Sequence, residues 1–174
     1  MFNNHPEFQL LFSCCHPQKT TEIKEKINFL LTQEIHWEKL LNIANQHGIT
    51  CLFYHEINQL KLSNIPSEVI NVLKQKYLNN SYKNLKSAGE LLRLIKIFES
   101  KNIKIISFKG CLLAQLTYYN LALREFEDLD LLIKEDDFIL FNNILKNEGY
   151  QPQFALNDDQ LKIYLKLRSE FIYW

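Results

Sequence analysis

Two carboxylates stand two residues apart in Arg124-Glu125-Phe126-Glu127-Asp128-Leu129-Asp130-Leu131-Leu132-Ile133, a stretch that turns apolar around them. In an extended strand successive side chains alternate faces, so Asp128 and Asp130 project from one face while Leu129 and Leu131 enter a core. A core strand carrying two charges needs a cation or a salt bridge to offset their burial. Paired carboxylates suit Mg²⁺, which takes hard oxygen ligands and leaves positions for water and substrate phosphates. In a two-metal arrangement, such acids hold ions roughly 4 Å apart that activate an attacking hydroxyl and steady the leaving oxygen. Ordinary salt bridges with Arg124 or a helix lysine are the plain alternative.

A second group of residues precedes them. Ile103 to Phe108 is short and β-branched and reads as a strand; Lys109-Gly110 turns the chain into an apolar helix from Cys111 to Tyr119. Glycine directly after a strand lets the backbone approach a ligand, and the amides opening the next helix suit a phosphate. In that helix Leu112, Leu116 and Tyr119 share a face, with Leu113 and Ala114 beside it. Asn120 to Glu127 is a loop and Asp128 to Ile133 the second strand. Glu135 to Asn147 is a further helix, ended by Gly149; Tyr150 to Phe154 is a third strand, and Asp158 or Asp159 caps a last helix holding Leu161, Tyr164, Leu165 and Leu167.

Upstream the period is helical. Ile23, Ile27, Leu30 and Leu31 form one face behind a Thr20 or Thr21 cap; Trp37, Leu40, Leu41 and Ala44 form another, stopped near Gly48. Leu52, Phe53, Ile57 and Leu60 mark a third. From Pro66 one long helix, or two end to end, is predicted with Val69, Leu73, Tyr77, Tyr82, Leu85, Leu91, Leu92, Ile95 and Phe98 on an apolar stripe. Between Lys74 and Lys104 cations outnumber acids, either as a solvated face or as a surface for a phosphate-bearing ligand. Residues 1 to 19 suggest only a short turn around Phe8, Leu11 and Phe12. The expected fold class is α+β: a helical N-terminal lobe over residues 1–100, then a small mixed β-sheet with flanking helices over 101–174.

Composition sets the bounds. The 174 residues, 47% of them hydrophobic, suffice for a packed core, and a net charge of zero gives no general reason to coat nucleic acid or an anionic membrane. No apolar run nears the roughly 20 residues of a membrane span, and a cytoplasmic location is expected. Cys14, Cys15, Cys51 and Cys111 lack C-x-x-C spacing and read as idle thiols; His36, His47 and His55 lack zinc-site spacing.

Phe108-Lys109-Gly110, Leu113-Ala114, Tyr118 or Tyr119, Arg124, Asp128-Leu129-Asp130-Leu131-Leu132-Ile133 and Gly149-Tyr150 together resemble the uncharacterised nucleotidyltransferase family of the polymerase-β-like superfamily. His36-Trp37, Leu40-Leu41 and Ala44 to Gly48 are similar to its helical segment. The resemblance implies transfer of a nucleoside monophosphate from an NTP to a hydroxyl-type acceptor, with Mg²⁺ (or Mn²⁺) and release of pyrophosphate. It implies Asp128 and Asp130 as catalytic metal ligands, and Lys109, Gly110, Cys111 and Arg124 as the nucleotide contacts, Cys111 through its amide. The acceptor stays open among protein side chain, tRNA end, sugar and small antibiotic, with nucleic acid not favoured. The superfamily also uses a third carboxylate, sought here in an acid-x-His-Trp segment. The closing Glu170-Phe171-Ile172-Tyr173-Trp174 puts Glu170 one residue out of that register. The expectation is therefore a chain that stops early, and the alternative function is an inactive or truncated nucleotide-binding or interaction module.

Overall fold

The computed structural model describes residues 5–16, 18–62, 64–167 and 170–174. The chain forms two compact units, one of residues 1–89 with 109–129, the other of 90–108 with 130–174. Helix dominates and the sheet is a small antiparallel pair, so the class is α+β. No helix among the described residues is long and apolar enough to cross a membrane.

The first unit is helical. Proline, which lacks the N–H that a first turn leaves unpaired, opens α1 (Pro6–Cys14), longer than the turn predicted there. This helix buries Glu7 with Leu10, Leu11 and Cys14. Glu7 is only 1% exposed; its carboxylate accepts from the His36 amide at 3.2 Å and from Lys39 Nζ at 3.3 Å. Thr20 caps α2 (Thr21–Leu30) by accepting from the Ile23 amide. The third helix, α3 (Trp37–Gln46), ends where Gly48 takes φ +62°; Gly48 N–H donates to Asn45 O and Ile49 N–H to Ala44 O, a paired C-terminal closure. After α4 (Thr50–Gln59) comes the long helix α5 (Ser67–Ser100), which contributes residues up to Gly89 to this unit. Leu10, Ile27, Leu40, Phe53, Ile57 and Leu73 form its core. Burial pushes the thiols of Cys14, Cys15 and Cys51 up to about 12, so they are neutral packing groups.

The buried stripe of α5 departs from the predicted one. It runs through Val69, Leu73, Asn80, Asn84, Leu91, Leu94 and Phe98, while Tyr82, Leu85 and Leu92 face solvent. Two asparagines thus occupy core-facing positions where the apolar pattern pointed to Tyr82 and Leu85.

In the second unit β1 (Ile105–Ser107) pairs antiparallel with β2 (Leu131–Ile133), Ile106 opposite Leu132. Both strands are shorter than predicted. Ile105, Leu131 and Ile133 pack on a core of Leu94, Phe98, Ile103, Phe138, Phe141 and Leu145, while Ile106 and Leu132 face outward. α7 (Phe138–Asn147) supplies half of that core, and its Phe141 stacks on Phe98 at 4.6 Å. α8 (Asp158–Leu167) is capped by Asn157 rather than Asp159: the Gln160 amide donates to Asn157 Oδ1 and the Asn157 amide to Gln160 Oε1. The side chain of Asp158 lies outside the described residues. The third predicted strand appears as a single bridge, Pro152 to Tyr173. There Phe171 and Tyr173 pack inward and Ile172 and Trp174 outward, Tyr173 OH donating to Asn142 Oδ1 at 3.0 Å.

Candidate active site

Gly110 begins α6 (Gly110–Tyr118) at φ +49°, in the left-handed region that glycine enters without penalty. A Cβ there would lie 3.1 Å from the main-chain oxygen of Asp128 and 3.6 Å from the Phe126 ring. The close approach predicted for this glycine is thus made to the chain's own backbone, immediately beside the carboxylate pair. α6 buries its small face, Gly110, Cys111 and Ala114, while Leu112, Leu113 and Leu116, and Tyr119 just beyond its end, are exposed. Small residues permit the close packing against the 3₁₀ turn Leu121–Leu123 that follows. Burial raises the Cys111 thiol, so only its amide is suited to a ligand.

The loop from Asn120 to Arg124 is held by the two core-facing asparagines. Asn80 Nδ2 donates to Ala122 O at 2.9 Å and Arg124 O at 3.2 Å; Asn84 Nδ2 donates to Leu121 O at 2.6 Å and Arg124 O at 2.8 Å. One helical turn apart, they satisfy three carbonyls of a loop that could not otherwise be buried. Asn120 closes the turn by accepting from the Ala122 amide. The only signal for this clamp in the sequence is phase: Asn80 and Asn84 continue the spacing of Val69 and Leu73.

The clamp fixes the start of the stretch leading to the carboxylates. Arg124 lies over the Phe126 ring at 5.7 Å, and its Nη1 is buried without a hydrogen-bond partner among the described residues. Phe126 in turn packs where Gly110 meets Asp128. Gly110, Cys111, Arg124 and Asp128 are thus gathered in one unit through Phe126. Lys109 occupies the N-cap of α6 and is exposed. Asp128 and Asp130 precede β2 instead of lying within it, Asp128 exposed and Asp130 half-buried. The chain passes from the first unit into the second between Leu129 and Asp130. Asp130 shares the outward register of Leu132 by alternation.

Next to this cluster, within the first unit, is an open hollow of about 480 Å³, lined in part by Asn45, Lys76, Asn79, Lys83, Glu125 and Glu127. Glu125 is oriented by two partners, accepting from the Cys51 amide at 3.3 Å and facing Lys76 Nζ at 3.7 Å. Lys76 also donates to Asn45 Oδ1. Lys83 and Glu127 pair at 3.7 Å, Glu127 being 95% exposed. Sequence reading placed Lys76 and Lys83 in a basic run and did not foresee their acidic partners. Arg93, from the same run, is held by Glu90 and Glu148. A larger hollow of about 900 Å³, bordered by His36, Trp37, Lys39 and His47, contains none of the predicted site residues.

A family model described as an uncharacterised nucleotidyltransferase matches residues 33–170, spanning every site residue above. No curated protein and no solved structure matches the chain. With most of its length covered, the chain belongs to the uncharacterised nucleotidyltransferase family.

Proposed function

We propose that the protein transfers a nucleoside monophosphate from an NTP to a hydroxyl-bearing acceptor, releasing pyrophosphate, with Asp128 and Asp130 as metal ligands. The observation that carries this reading is the packing of Gly110, at the start of α6, against the Asp128 main chain, with Arg124 joined to the same cluster through Phe126. Amides opening a helix and a guanidinium favour phosphate oxygens. Lys109 at the N-cap adds a second cation, and Cys111 contributes its amide.

The donor chemistry fits Mg²⁺ or Mn²⁺: two oxygen donors two residues apart, one exposed and one half-buried, leave ligand positions to water and phosphate. No group of three or more His, Cys, Asp or Glu able to hold a metal occurs among the described residues, so Asp128 and Asp130 make up the proposed donor set. When bound, the ion would neutralise charge on the triphosphate and lower the pKa of the attacking hydroxyl. Arg124 and Lys109 would hold the phosphates in line for displacement and stabilise charge building on the transferring group. In this reading residues 101–174 carry the chemistry and residues 1–100 form the helical lobe.

Incubation with α-labelled NTPs, Mg²⁺ and candidate acceptors tests this. Label should move to an acceptor with the wild-type chain and not with Asp128→Asn. Binding of NTP without any transfer, across all four NTPs, would instead identify a nucleotide-binding module.

A further inference from the structure

We infer that the cavity bordered by Lys76, Lys83, Glu125 and Glu127 is the acceptor pocket and that the acceptor is a small zwitterion bearing a hydroxyl, an ammonium and a carboxylate. The inference rests on the proposed transfer reaction and names its substrate class. Its volume, about 480 Å³, falls in the range of small-molecule sites. Its wall is built: Asn80, a lining residue 8% exposed, is fixed by Ala122 O and Arg124 O, and Glu125 is tied to both the Cys51 amide and Lys76. The lining also places the pocket, because it shares Phe126 with the cluster of Gly110 and Arg124.

The lining carries four amides, two ammonium groups and two carboxylates beside Gly48 and Phe126, its one aromatic residue. A lipid or aromatic acceptor offers no polar partner to those groups, and an acceptor of one charge that engaged the Lys83–Glu127 pair would leave its other member unmatched. The two ion pairs differ in a way that separates wall from recognition. Lys76 and Glu125 each have a further partner and stay paired. Lys83 and Glu127 meet only at 3.7 Å beside open solvent, and a zwitterion splits them by placing its carboxylate on Lys83 and its ammonium on Glu127. Its hydroxyl oxygen then forms a bond to the α-phosphorus, the bond from that phosphorus to the bridging oxygen breaks, and pyrophosphate leaves with the electron pair. The hydroxyl proton passes to solvent.

The test is titration of the full chain, without nucleotide, by NMR or calorimetry. The probes are L-serine, L-threonine and L-homoserine, against 3-amino-1-propanol and 4-hydroxybutyrate, which are homoserine without its carboxylate or its ammonium. At least one zwitterion should bind about tenfold or more tighter than either single-charge analogue. Lys83→Gln and Glu127→Gln should each weaken it about tenfold, the loss of one charge-assisted contact, while Lys24→Gln on exposed α2 changes nothing. These surface variants should melt as wild type does. The inference is overturned if no zwitterion outbinds the single-charge analogues, or if Lys83→Gln and Glu127→Gln leave binding unchanged. Zwitterion binding without label transfer from any NTP would remove the transferase reading and leave the pocket standing; label transfer to another acceptor with no zwitterion binding would do the opposite.

Discussion

Replacing Asn84 by alanine isolates the clamp that holds the loop before the carboxylates. Asn84 is fully buried, and its Nδ2 donates to Leu121 O at 2.6 Å and Arg124 O at 2.8 Å. Arg124 O keeps Asn80 as a donor at 3.2 Å, so Leu121 O is the carbonyl left without a side-chain donor. A net hydrogen bond is worth about 1 kcal/mol, and an unsatisfied buried polar group costs about 1–3 kcal/mol. Alanine also removes Asn84 Oδ1, itself buried without a partner among the described residues, which returns part of that cost. The expected loss is about 2 kcal/mol, or about 4–8 °C in Tm for a chain of this size. Asn84→Asp should cost more than about 3 kcal/mol, since a carboxylate would face two carbonyl oxygens in a buried site. Leu85→Ala is the control: Leu85 is 67% exposed, and truncation should change stability by less than about 0.5 kcal/mol. Thermal and urea melts, with amide hydrogen exchange over residues 120–126, read these effects. Asn84→Ala melting with the wild type, or Leu85→Ala falling as far as Asn84→Ala, would refute the assignment of the buried stripe.

Gly110→Ala should cost roughly 1–2 kcal/mol for the left-handed backbone alone, and more because its Cβ would meet Asp128 O at 3.1 Å; calorimetry should also show weakened NTP binding. Glu7 governs part of the acid limb of stability. Burial pushes its carboxyl up, but hydrogen bonds from its own main chain, the His36 amide and Lys39 outweigh that and hold it below the ordinary carboxylate range. A depressed folded value contributes stability above the unfolded pKa of about 4.3 and loses it as pH falls toward the folded one. Stability measured against pH should therefore drop below about pH 4.3 in the wild type and drop less steeply in Glu7→Gln.

Helices that bury one apolar face on a nearby neighbour were legible from period alone: Ile23 to Leu30, Trp37 to Ala44 and the long helix after Pro66 formed where their spacing put them. So did the left-handed stop at Gly48, because it depends on a single residue's conformational freedom. What escaped depended on distant partners. α1 forms around Glu7, whose burial is offset by His36 and Lys39, and no local pattern announces that. The phase of α5 was misjudged because hydrophobicity assigns Tyr82 and Leu85 inward, whereas three loop carbonyls need donors and select Asn80 and Asn84. In α6 the small residues Gly110, Cys111 and Ala114 are the buried ones, and the close approach of Gly110 to the Asp128 backbone shows size rather than polarity deciding. Gly110 and Asp128 stand out by their place in the strand-turn-helix and D-x-D patterns and Arg124 only by the family resemblance; the three come together within one unit, but the carboxylates lie ahead of the strand they were placed in.

The central claim is that Asp128 and Asp130 hold a metal-bound nucleotide. Its most direct measurement is the melting temperature with and without NTP, in Mg²⁺ and in EDTA, for the wild type and for the Asp128→Asn/Asp130→Asn double variant. The wild type should be stabilised only when both Mg²⁺ and NTP are present, by about 2.7 kcal/mol at ligand concentrations a hundredfold above Kd, and the double variant not at all. Equal stabilisation of the wild type and the double variant would contradict it.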